Sequence, residues 1–289
     1  MRSDELFRPF EGTRDPRPIA IFRIAFFVGI ALHFVPSLIW LDIGYGHGAV
    51  REPAWNHWLF AHMWKLPFAV LRVMAIATML AIVAGVVGLR PRIAAIIAGV
   101  GCYAFASFNS LHLQTLALVP TWAIFLLWMI CGGGSAAFSV ERGSDREPRL
   151  LSSLTLFQVL LAVFFSGIEK LLAGWPLSNE MAIVLGYPKG FIVRDWVAAL
   201  PSLHGPVVST VFTWLTLVVE LGCPIALLFR RTRMPALIVW ELFFLGIIAM
   251  LEVPPLFYFI FAAGALLALD DGQVTTLVSR ARVWRRASS

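Results

Sequence analysis

Residues 151–172 read LSSLTLFQVLLAVFFSGIEKLL. A helix rises about 1.5 Å per residue and the hydrocarbon core of a bilayer is about 30 Å thick, so a run of this length and character crosses it once. Seven further apolar runs follow the same rule, at 18–41, 66–87, 93–108, 116–138, 207–228, 234–251 and 255–269. The last is short, and Glu252-Val253-Pro254-Pro255 separates it from its predecessor. Proline cannot donate a backbone hydrogen bond, so this tetrapeptide reads as a tight turn at a membrane surface.

Composition agrees. Of 289 residues, 59% are hydrophobic and 14% charged, with a mean hydropathy of +0.81; a soluble domain carries about 25% charged residues. A water-soluble enzyme, a disordered chain and a disulfide scaffold are excluded at this level. Cys102, Cys131 and Cys223 lie in apolar runs without a CxxC pair and read as small packing residues. The first run is too long for the apolar core of a cleaved signal peptide, and no small-x-small cleavage site follows it.

The net charge of +6 resolves by location. The two termini and every second loop carry Arg2, Arg8, Arg14, Arg17, Arg90, Arg92, Arg142, Arg146, Arg149, Arg230, Arg231, Arg233, Arg280, Arg282, Arg285 and Arg286. The opposite side carries Arg51, Lys65, Lys189 and Arg194. Basic loops stay cytoplasmic, so this asymmetry predicts both termini inside and an even number of spans. The excess is a topology signal, and nucleic acid is not an expected partner. The predicted fold is all-α, a polytopic membrane helix bundle of about eight transmembrane helices. A basic N-terminal segment (1–17) precedes the transmembrane domain (18–269), and a basic tail (270–289) follows it. The expected location is the plasma (inner) membrane of a bacterium. Trp40, Trp55, Trp58, Trp64, Trp122, Trp175 and Trp196 fall in or beside the outer loops, as an interfacial belt does. The two long outer segments, 42–65 and 173–206, place the protein's business at the outer face; 191–197 is amphipathic enough to lie in that interface.

Six formally charged residues sit inside the spans: Arg23, Arg72, Glu169, Lys170, Glu220 and Glu241. Each is costly in hydrocarbon and so a functional hypothesis by default. Counting 1.5 Å per residue from the ends of the spans puts Arg23, Glu220 and Glu241 in the inner half. The reading there is a structural ion network that fixes helix packing. A proton relay is the weaker alternative, because no acidic groups step across the middle and no inverted repeat is detectable. Arg72, Glu169 and Lys170 fall in the outer half. A lysine, unlike an arginine, can lose its proton when desolvated and serve as a base; near the surface it can instead snorkel or pair with Glu169. No metal site is predicted: His57 and His62 are five apart, which shares no helical face, and Cys131-Gly132-Gly133-Gly134 lacks the lysine of a phosphate loop.

Phe164-Phe165-Ser166-Gly167-Ile168-Glu169-Lys170-Leu171, followed by Trp175, resembles the horizontally transferred transmembrane (HTTM) family, which includes the membrane part of vitamin K-dependent gamma-glutamyl carboxylase. Ile19-Ala20-Ile21-Phe22-Arg23-Ile24-Ala25 resembles that family's first span with its embedded arginine. Gly88-Leu89-Arg90-Pro91-Arg92 with Phe108-Asn109, and Thr216-Leu217-Val218-Val219-Glu220-Leu221-Gly222-Cys223-Pro224, resemble its later segments. The last of these is shared with bacterial relatives of lipase maturation factor. The resemblance implies that Lys170 stands at the position of a base that deprotonates a hydroquinone at the outer face.

Two readings stand at this point. In the first the chain is an enzyme on a quinol or another lipid-soluble substrate. Lys170 and Glu169 are then catalytic, Glu169 tuning the base, while Arg72 and Trp175 bind the quinone or hydroquinone. In the second it is a non-catalytic module that binds a lipid or quinone, or assists maturation or export of a partner protein. Arg23, Glu220 and Glu241 then hold the bundle together.

Overall fold

A computed structural model of the chain describes residues 12–41, 66–108, 118–131, 138–140, 147–178, 194–200, 205–251 and 255–287. The predicted outer histidines and Trp55, Trp58 and Trp64, the first three residues of the amphipathic stretch 191–197, and the turn at 252–254 lie outside the described residues. The long helices are α1 (Arg17–Ile39), α2 (Phe68–Val87), α3 (Pro91–Phe108), α4 (Leu118–Cys131), α5 (Arg149–Leu172), α6 (Pro206–Leu228), α7 (Arg233–Met250), α8 (Pro255–Ala265) and α9 (Asp271–Ala287). A two-residue antiparallel bridge joins β1 (Thr13–Arg14) to β2 (Glu147–Pro148).

Each of the eight predicted apolar runs forms a helix. Among the described residues, α1, α2, α5, α6 and α7 are long and apolar enough to cross a membrane, and a sixth crossing counts if 256–268 and 271–279 form one broken span. Their outward faces are apolar: Val73, Leu80, Val207, Val218 and Leu242 are all more than half exposed. Exposed apolar faces on this scale suit lipid rather than water. The chain is an all-α, multi-pass membrane protein.

The molecule divides into two compact units, one formed by Met1–Thr155 with Leu269–Ser289 and the other by Leu156–Ala268. In the first unit α1 packs on α2, α2 on α3 and α3 on α4. Its core is aromatic: Phe26 of α1 lies 5.0 Å from Phe125 and 5.3 Å from Trp128 of α4, centroid to centroid. Glycines allow the close approaches. A side chain at Gly85 would collide with the Phe27 ring, and one at Gly101 with Thr78. Cys102 is buried as expected, whereas Cys131, at the end of α4, is exposed.

The loop ends of this unit are tied together. Gly88 closes α2 in the left-handed conformation (φ +73°), and its amide reaches the last-turn carbonyls. Arg14 donates to Ser152 Oγ (3.1 Å) and to the Leu269 carbonyl (2.7 Å), and the Asp15 amide donates to Asp271 Oδ1 (3.0 Å). Asp15 also pairs with Arg17, whose guanidinium holds the Asp15 carboxyl below its ordinary range. The predicted N-terminal segment, the strand before α5 and the start of the tail thus meet in one place.

In the second unit α6 and α7 pack together and α8 lies against α7. Trp240 donates its indole N–H to the Phe261 carbonyl at 2.9 Å, and Phe244 stacks on Phe261 at 5.3 Å. The C-terminal carbonyls of α7 find donors in residues 194–196: Arg194 Nε reaches Ile248 O (2.7 Å), the Arg194 amide Met250 O (3.1 Å), and Trp196 Nε1 Ala249 O (2.8 Å).

Candidate functional site

The site is built around Lys170, in the last turn of α5. Residues four apart on a helix share a face, which brings Ser166 beneath Lys170: the lysine Nζ donates to Ser166 Oγ at 2.7 Å. One residue on, Gly167 has no side chain, and α6 comes in against it. A Cβ there would stand 2.8 Å from Leu221 Cδ2 and 3.1 Å from Glu220 Cβ. That approach delivers Glu220, whose two carboxylate oxygens each accept from Lys170 Nζ at 2.6 Å. An ammonium has three donors, and Ser166 with the two Glu220 oxygens supplies three acceptors.

The fourth wall is aromatic. The α5 backbone reverses through Gly174, in the left-handed conformation (φ +76°) that glycine adopts without penalty. The 3-10 turn Trp175–Leu177 follows and sets the Trp175 ring 5.5 Å from Nζ, a cation–π distance. The lysine side chain is 19% exposed and the Glu220 side chain 9%. A pair removed from solvent to this degree survives only with good geometry and satisfied donors, and both are present.

Next to it on α6, one turn nearer the start of the helix, Thr216 borders an apolar cavity of about 160 Å³ between α6 and α7. Phe212 and Leu215 line one side; Leu242, Phe243, Gly246, Ile247, Met250 and Leu251 line the other. Thr216 and Glu220 are four residues apart, so the cavity and the ion pair lie along neighbouring strips of the same helix.

The expected groupings are rearranged by these distances. Glu220, expected in a network with Arg23 and Glu241, gives its carboxylate to Lys170. Counting from the span ends puts the end of α5 level with the start of α6, whereas the last turn of α5 meets α6 fourteen residues past Pro206. Glu169, the expected partner of Lys170, is on an exposed face of α5, since adjacent helical residues diverge by about 100°. Arg23 is fully buried in the first unit. Its guanidinium donates to the Phe138 carbonyl at 2.8 Å, beside Gly88 and within the field of Glu147. Glu241, in α7, has a buried Oε1 with no hydrogen-bond partner among the described residues. Arg72 is on an exposed face of α2, its guanidinium 5.0 Å from the Phe68 ring centroid.

Ser166 and Gly167 were legible as parts of a motif but not as parts of a site. The usable signal was spacing: Ser166 is the residue one turn back from Lys170, and Gly167 marks where another helix approaches. Among the described residues no three His, Cys, Asp or Glu side chains gather in a metal-binding group. Compared with protein-family models, with curated proteins and with solved structures, the chain matches none of them.

Proposed function

We propose that this chain is an HTTM-type protein of a bacterial plasma membrane, with eight spans and both termini cytoplasmic, that acts on a quinol or similar lipid-soluble hydroxyl compound at the outer face. Lys170 is the base, and Glu220, in place of Glu169, is its working partner. The observation that carries this reading is the hold of both Glu220 oxygens on Lys170 Nζ at 2.6 Å. Such a dyad has a place for one additional proton. When its own proton sits on Glu220, Lys170 is an amine with a lone pair. A substrate hydroxyl then protonates the amine, leaving an ammonium, a neutral carboxyl and an oxyanion, so the charge created on the substrate is balanced at once. Trp175 provides a flat apolar surface beside Nζ, and the adjoining cavity suits an apolar substituent. The meeting of residues 12–15, 147–152 and 269–271 supports termini on one side together with the loop before α5.

The test is the Lys170→Arg variant assayed in membranes for oxidation of reduced short-chain quinols in air. Arginine keeps the charge and the pairing but cannot serve as a base. The expected result is normal assembly with activity lowered by about 10²-fold or more. Quinol oxidation that stays at the wild-type rate in Lys170→Arg removes Lys170 from catalysis.

A second reading rests on the approach of α6 to Gly167. There the pair is a clamp between two helices of a non-catalytic module that binds a lipid or quinone, or serves a partner protein. In that case Lys170→Arg retains full function and Lys170→Ala loses assembly.

A further inference from the structure

The last helix, α9, is built unlike the others. Its start is fixed by a reciprocal capping box: the Gln273 amide donates to Asp270 Oδ1 at 2.8 Å, and the Asp270 amide to Gln273 Oε1 at 3.0 Å. Asp271 is tied to the Asp15 amide, and Leu269 to Arg14. Leu269 and Asp270 alone separate this start from the 3-10 turn that ends the last apolar segment.

Past the pinned turn the helix is open. Val274 is buried, while Thr275, Thr276, Leu277 and Ser279 are exposed. Val274, Leu277 and Val278 repeat at the spacing of one helical face, and Ala281 and Trp284 continue that spacing in the sequence. Between residues 280 and 286 come Arg280, Arg282, Arg285 and Arg286, with no acidic residue. A helix with a narrow apolar strip, a tryptophan and a run of arginines, following directly on an apolar segment, has the chemistry of an interfacial element.

We propose that α9 is an arm that lies on the bilayer surface and binds the anionic phospholipid headgroups of the leaflet where it starts. Arginine and a phosphodiester form paired charge-assisted hydrogen bonds, and four arginines without a compensating acid favour an anionic leaflet over a zwitterionic one.

The test uses the full chain in nanodiscs of phosphatidylcholine alone or of phosphatidylcholine with phosphatidylglycerol, and follows amide hydrogen exchange in 275–287. The expected result is exchange slowed about tenfold or more by phosphatidylglycerol, with the gain abolished in the Arg280→Gln/Arg282→Gln/Arg285→Gln/Arg286→Gln variant and kept in the corresponding lysine variant. If the glutamine variant does not assemble, the same measurement on the wild type from about 0.1 M to about 1 M salt decides, because screening shortens the reach of surface charge about threefold. Equal exchange in the two lipid compositions overturns the proposal. So does protection that salt leaves intact, or protection produced by inorganic phosphate in phosphatidylcholine discs.

Discussion

Arg23 in one unit and Lys170 in the other are both cations inside apolar helices, and their surroundings differ in kind. Arg23 is fully buried and donates to the backbone carbonyl of Phe138, a residue held at φ +51°, where non-glycine residues are uncommon. Around it Ser139 Oγ donates to the Gly88 carbonyl at 2.5 Å and the Val140 amide to Val87 O at 3.1 Å. The arginine fastens a loop to a helix end. Lys170 instead faces a carboxylate, keeps a fifth of its side chain exposed, and stands beside an aromatic ring. Arginine stays charged under all ordinary conditions, whereas a lysine against a glutamate can exchange a proton. The first arrangement suits architecture and the second suits chemistry.

The largest effect that can break this comparison is expected at the ion pair. Lys170→Ala leaves a buried carboxylate without its counter-charge and is expected to cost about 3–5 kcal/mol, whereas Lys170→Met with Glu220→Leu is expected to be close to neutral. Thermal unfolding in detergent measures both; a double variant as unstable as the single one removes the pair as the cause. Arg23→Met is expected to cost less, about 1–3 kcal/mol, because it strands a neutral carbonyl. Limited proteolysis between α4 and α5 should quicken at the same time, and an unchanged cleavage rate argues against the fastening role.

Gly167 sharpens the contrast further. Gly167→Ala pushes a methyl toward Leu221 and Glu220 and is expected to cost about 1–3 kcal/mol as overpacking. Gly222→Ala, with open space around it, is expected to stay within about 0.5 kcal/mol. Equal unfolding temperatures for the two would mean that α6 does not depend on the close approach.

The smallest effect concerns pH in the first unit. Arg17 holds the Asp15 carboxyl below its ordinary value of 3.8. A depressed carboxyl stabilises the fold fully above its unfolded value, and that contribution fades as pH falls through the lower folded value. The stability difference between wild type and Asp15→Asn, about 0.5 kcal/mol for a pair of this type, should therefore hold at neutral pH and vanish only below 3.8. A difference that disappears near neutrality would reverse the sign.

Much of the architecture was legible because apolar run length is a one-dimensional property. All eight runs became helices, and Gly88 with Pro91 marked the α2–α3 turn in the sequence itself. The site was legible in part. Lys170 and Trp175 could be named from their motif, but their partner could not. Pairing across helices depends on how far each helix overhangs the other, which a per-residue count does not contain. Glu169 was avoidable as a partner, since neighbouring residues on a helix diverge, and Ser166 was recoverable by the same geometry. Arg23 was correctly suspect as a buried charge, but a backbone acceptor such as Phe138 O leaves no mark on the sequence.

The bond from Arg14 to the Leu269 carbonyl and the one from the Asp15 amide to Asp271 carry a consequence for biogenesis. The ribosome releases Arg14 more than 250 residues before its acceptor. These two bonds of the first unit therefore form only after the entire second unit has been synthesised. Chains that stall or are cleaved before residue 269 lack both acceptors and leave the first unit unfinished.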